Sequence, residues 1–113
     1  MSDSAQSSPA VVELPVEIDV TNAEQVYEQL IAALAPGVDT VIADMTGTIF
    51  CDSSGVHAIM HAYETTAARD VAMRLAVSPA TSVRRVLQLI GVSQLMPVYP
   101  SLKEALAVPA NGG

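Results

Sequence analysis

Apolar residues in this chain change period several times, and each change marks a different element. Between Ala10 and Ile18, β-branched and aliphatic residues partly alternate with polar ones, which predicts a strand. Pro15 cannot donate to a ladder, so this strand is expected at a sheet edge or with a bulge. Val26, Leu30, Ile31 and Leu34 then recur at helical spacing until Pro36-Gly37 stops them. Thr21-Asn22-Ala23-Glu24, just before, has the spacing of a capping box. Thr40 to Ala43 is a short apolar run that predicts a buried strand, with Asp44 to Cys51 as a loop or irregular strand end. Val56, Ile59, Met60, Tyr63 and Ala67 form the stripe of a second helix, whose N-terminus falls at Asp52-Ser53-Ser54. Val71 to Val77 alternates as a strand does. Ser78-Pro79 predicts the start of a third helix carrying Val83, Val86, Leu87 and Ile90 and ending at Gly91. Leu95 to Tyr99 predicts a short strand, and Ser101-Leu102-Lys103-Glu104 a second capping box opening a brief helix through Leu106.

Strands that alternate with helices through short connections predict an α/β fold: one mixed sheet of about four strands, with helices mainly on one face. No internal repeat is visible. A chain of 113 residues holds one domain and one core. That domain is expected over residues 10–107, between a Ser-rich disordered tail at 1–9 and a second disordered tail at 108–113.

Half of the residues are hydrophobic, yet there is one Phe and no Trp, so the core must be aliphatic. Twelve acidic against five basic residues give a formal charge of −7, which sets the chain against nucleic acid and anionic membrane surfaces. The sequence contains neither a run of roughly 20 apolar residues nor the basic and apolar regions of a signal peptide, and a cytoplasmic location is expected. The single Cys51 has no second cysteine for a disulfide or thiolate metal site, and is read as a core residue.

The chemistry concentrates in Phe50-Cys51-Asp52-Ser53-Ser54-Gly55-Val56, where two hydroxyls and a carboxylate meet the start of a helix rich in unpaired N–H groups. An added phosphate would find favourable dipole and donors there. Ordinary capping explains the same residues, and Gly55 then only permits close packing. A nucleophile elbow fits less well, because Cys51 stands where G-x-S-x-G has its first glycine. His57 and His61, four apart, raise a metal pair or a base for Ser53, but they lack the H-E-x-x-H context, and solvated or packed imidazoles are the plainer reading.

The segment Phe50 to Val56 closely resembles the phosphoacceptor motif of the STAS-domain anti-sigma factor antagonists, hydrophobic-x-D-S-[ST]-G-[LV]. The resemblance continues upstream through Val16-Glu17-Ile18-Asp19-Val20-Thr21-Asn22-Ala23 and downstream through Val83 to Gly91 and Val98-Tyr99-Pro100-Ser101. Val16 departs from the family's usual glycine, and the Ser-rich tail occupies the place of its first strand. The sheet is therefore expected to be one strand short, or to be supplemented by a partner or a second copy in a homodimer. The resemblance implies a STAS-like single domain, and a non-enzymatic partner switch with no cofactor or metal of its own. The unphosphorylated protein would bind a serine-kinase anti-sigma factor and free the sigma factor. Phosphorylation of Ser53 would break that complex, and a serine phosphatase would reset it. Asp19, Asn22, Asp52, Ser53, Ser54 and Gly55 are the expected partner-binding residues. Two alternatives remain: a STAS component of a transport or lipid-trafficking complex, and a small serine hydrolase using Ser53 with His57 or His61.

Overall fold

The computed structural model describes residues 8–108. The first described strand, β1 (Ser8–Glu13), lies parallel to β3 (Val38–Met45) with Ala10 opposite Val41 and Glu13 opposite Asp44. β3 in turn pairs with β5 (Ala72–Val77), and β5 with the short β6 (Val98–Tyr99), giving the order β1-β3-β5-β6. The four strands are those expected, but every described pairing is parallel, so the expectation of a mixed sheet is corrected on strand direction. The cause is the connectivity: a helix lies between each pair of bonded neighbours, and a crossover of that kind returns the chain in the same direction.

Pro15 divides the first predicted strand in two. The ladder ends where the Leu14 N–H donates to the Asp44 carbonyl at 2.9 Å, and beyond Pro15 the chain enters a separate two-stranded sheet, β2 (Glu17–Ile18) with β4 (Phe50–Cys51). The Pro15 carbonyl accepts from Thr48 Oγ1 at 2.8 Å, which fixes the turn before β4. β1 starts at Ser8, so Ser8 and Pro9 belong to the sheet and not to a tail. Residues 1–7 and 109–113, expected as disordered, lie outside the described residues.

Helices α1 (Ala23–Ala32), α2 (Ser53–Ala68), α3 (Val83–Ile90) and α4 (Val92–Leu95) cover one face. Val26, Leu30, Val56, Ile59 and Leu87 pack there against Val41, Met45, Leu75 and Val77. On the opposite face α5 (Leu102–Ala107) lays Ala105 on Ile42 and Ala76. Arg74 faces the same side from within β5, buried, with Nη1 donating to the carbonyls of Ala105 at 2.8 Å and Val108 at 3.0 Å. The guanidinium thus holds the end of α5, where helix carbonyls carry partial negative charge.

Three local expectations are revised. The capping box is not closed, since Thr21 Oγ1 donates to Asp19, and Asn22 stands at the N-cap of α1 without a side-chain cap bond because its amide is engaged with the Asp19 N–H and the Glu17 carbonyl. Ser78 Oγ accepts from the Ala80 N–H and makes a turn, so α3 waits until Val83. Leu95 closes α4 rather than opening β6, which leaves two residues of the predicted strand in the ladder. The capping box at Ser101 is present in its first half, with Oγ accepting from the Glu104 N–H at 3.1 Å.

Candidate functional site

The β2–β4 pair builds the site. Ile18 lies opposite Cys51 in a parallel register, and the Asp52 N–H donates to the Ile18 carbonyl at 3.1 Å, so Asp19 and Asp52 leave the two strands side by side. Asp19 begins the turn into α1 and Asp52 caps α2; Asp19, Asn22, Asp52, Ser53, Ser54 and Gly55 accordingly gather at one end of the molecule.

Asp19 and Asn22 spend most of their hydrogen-bonding capacity on shaping that turn. Asp19 Oδ1 accepts from the N–H and hydroxyl of Thr21, and Asn22 accepts from the Asp19 N–H while donating to the Glu17 carbonyl at 2.8 Å. The Thr21 hydroxyl, then its amide, hold the Asp19 carboxyl below its ordinary pKa. It therefore stays ionised well below neutrality.

Asp52 is the N-cap expected of it: its carboxylate accepts from the Gly55 N–H at 3.1 Å. The N–H groups of Ser53 and Ser54, in the first turn, have no acceptor within the helix. Ser53 is exposed, with its hydroxyl at the open end of the helix, whereas Ser54 is half-buried and turned toward α1. An anion attached to Ser53 would meet unpaired donors and the positive end of a helix of 16 residues.

Gly55 is a packing requirement at this place. A Cβ there would stand 2.6 Å from Ile18 Cγ2 and 2.7 Å from Cys51 Sγ, both buried. With two buried side chains that close, Gly55→Ala should cost about 2 to 3 kcal/mol by overpacking, which a helix-propensity gain of roughly 1 kcal/mol reduces to a net loss of about 1 to 2 kcal/mol. Urea unfolding checks this, and a variant as stable as the parent would contradict it.

Burial, and then the Asp52 carboxylate, push the Cys51 thiol up to about 11. The unfolded chain releases this proton near 9 and the folded chain holds it to about 11, so folding stability should fall as pH rises through that interval. At pH 8 the native thiol should resist a disulfide reagent that labels the unfolded chain at once. Rapid labelling of the native protein would contradict this.

His57 and His61 are exposed on α2. His61 stacks on Tyr27 of α1, with centroids 4.3 Å apart and an interplanar angle of 15°, and Tyr27 shares a 3.0 Å hydrogen bond with Thr65. Among the described residues no hydrogen bond joins either histidine to Ser53 or Ser54, and no three His, Cys, Asp or Glu side chains converge as a metal site would require. The two imidazoles, with Ser54 and Ala58, form one wall of a groove of about 360 Å³; Ala23, Glu24, Tyr27 and Glu28 form the other. Sequence reasoning missed this groove, whose walls come from separate helices.

It also missed an apolar rim. Val16, Val20, Ile49 and Phe50 are exposed, Val20 by 75%, on the β2–β4 pair and its flanks. The Val16 carbonyl accepts from the Ile49 N–H at 2.8 Å and from the Phe50 N–H at 3.4 Å, which brings these three residues together on the strand pair that leads into Asp52 and Ser53. Clustered apolar side chains left in water mark a contact surface. Their alternation with the buried Leu14, Ile18 and Cys51 was the available signal. No helix among the described residues is long and apolar enough to cross a membrane.

The arrangement has known counterparts. A Mycobacterium tuberculosis protein, Rv2638, provisionally named an anti-anti-sigma factor, is 32% identical over 99 residues, which are 85% of this chain and 66% of the relative. The crystal structure of an anti-sigma factor antagonist from Mycobacterium paratuberculosis superposes with a TM-score of 0.76 at 24% identity, covering 87% of this chain and 82% of the other. Unphosphorylated SpoIIAA, an anti-sigma factor antagonist of Bacillus, gives 0.69 at 26% identity over 89% and 87% of the two chains. The fold likeness alone extends to a sulfate transporter family protein from Wolinella succinogenes, at 18% identity and a TM-score of 0.71 over 88% and 82% of the chains. The STAS domain model matches residues 3–105, nearly the whole length, and the chain belongs to the STAS domain family.

Proposed function

We propose that this protein is an anti-sigma factor antagonist that works by partner switching. In this reading the unphosphorylated form binds a serine-kinase anti-sigma factor through the end of the molecule that carries Asp19, Asn22 and Asp52 to Gly55, and the sigma factor is released. The kinase then transfers phosphate to Ser53, the complex separates, and a serine phosphatase restores the binding form. The protein acts in the cytoplasm as substrate and ligand, and the nucleotide belongs to the kinase.

One observation carries the reading: Ser53 is exposed at a helix N-terminus, next to an apolar rim suited to a partner's surface. A phosphate adds about −1.5 to −2 charge and three acceptor oxygens. The unpaired N–H groups of the first turn can receive those oxygens, so α2 tolerates the modification, while a partner docked over Ser53 would have to bury the new charge. Among the described residues no base contacts Ser53 and no acid orients one, as the hydrolase alternative would require. The transport alternative is favoured by no feature of the site beyond the shared fold.

The test is titration of the purified protein with the serine-kinase anti-sigma factors of the same cell, before and after phosphorylation. Binding of one of them by the unphosphorylated protein, lost on phosphorylation, is expected. Equal affinity of the two forms would overturn the switch.

A further inference from the structure

We propose that the groove between α1 and α2 receives a basic side chain, arginine or lysine, of the anti-sigma factor, and so makes a second contact beside Ser53. This rests on the partner-switching reading and adds to it where the partner is held.

The groove has two chemically different walls. Glu24 and Glu28, one turn apart on α1, are exposed carboxylates on one side, while His57 and His61 stand on the other. Its volume of about 360 Å³ is that of a small ligand cleft, enough for one long side chain. The chain's five cations are Arg69, Arg74, Arg84, Arg85 and Lys103, and none of them lines the groove. The carboxylates therefore have no basic partner of their own there, within a molecule of net charge −7.

An anion is opposed by both carboxylates, and a metal ion would need more donors than converge among the described residues. A guanidinium meets every feature: it can take a carboxylate in a bidentate bond and lie flat on the Tyr27–His61 stack. Ser54, the chain neighbour of Ser53, lines the groove, so a partner covering Ser53 is already within reach. Tyr27 is held by its bond to Thr65, and the cleft is formed before anything binds.

The experiment measures binding of the cognate anti-sigma kinase at about 0.1 M and 0.5 M salt, with thermal melts to show that each variant folds. Glu24→Gln with Glu28→Gln should weaken binding about fivefold at the lower salt, and Glu24→Lys with Glu28→Lys about thirtyfold or more, with both losses shrinking at the higher salt. Glu64→Lys, on α2 outside the groove, should stay within about twofold of the parent. Groove variants that bind like the parent, or a Glu64→Lys loss as large as theirs, would overturn the groove and leave the Ser53 reading standing if Ser53→Asp still weakens binding. A parent protein that binds no anti-sigma kinase would overturn both.

Discussion

Ser53→Ala should accept no phosphate from the anti-sigma kinase and should bind it as tightly as the parent protein. The hydroxyl is exposed and makes no described hydrogen bond, so its removal costs the fold little. Ser53→Asp should bind about tenfold more weakly or worse, because a charge enters the docking surface beside the apolar rim. Asp carries about one charge and fewer oxygens than a phosphate, so it should mimic the modified state only in part. Ser54→Ala should still be phosphorylated, since its hydroxyl faces the α1 side. Binding curves and a phosphorylation assay for the three variants decide this, and Ser53→Asp binding at parental affinity would count against the switch.

Leu87→Ala should destabilise the domain by about 2 to 5 kcal/mol, the range for a buried leucine whose neighbours cannot collapse into the space. Leu87 is 1% exposed and sits with Val83 on the inner face of α3. That helix is short and is closed by Gly91 at φ 93°, so it has little besides this packing to hold it on the sheet. Because α3 contacts β4, its loosening should also disturb the strand that leads into Asp52. Denaturant unfolding checks the figure, and a loss under about 0.5 kcal/mol would place Leu87 outside the core.

Where local chemistry and tertiary packing agree, the sequence was readable. Val26 and Leu30, and Val56 and Ile59, are buried on the inner faces of the two helices whose periodicity they define. Asp52 caps α2 as its position demands, since an Asx side chain at a helix start has a ready donor in the third N–H. Where two local signals compete, the reading slipped. Ser78-Pro79 is a helix opener in isolation, yet Ser78 Oγ is satisfied by Ala80 and the apolar stripe begins only at Val83. The helical spacing puts Ala67 on the inner stripe, but the buried positions run Val56, Ile59, Ala62, Thr66, and Ala67 lies exposed. Strand direction was not legible in local periodicity, because it depends on which strands become neighbours. The groove and the apolar rim share that cause. Glu24 and Tyr27 read as an ordinary helix surface until α2 is set beside them, and Val16 and Phe50 read as strand residues until their faces are known.

The central claim is that Ser53 is the switch. Its most direct test is mass mapping of phosphate after the protein is incubated with its anti-sigma kinase and ATP, with binding measured on the same sample. The account predicts phosphate on Ser53, none on Ser54, and loss of binding in step with the modified fraction. Phosphate on another residue with Ser53 unmodified, or full modification of Ser53 with binding intact, would contradict it.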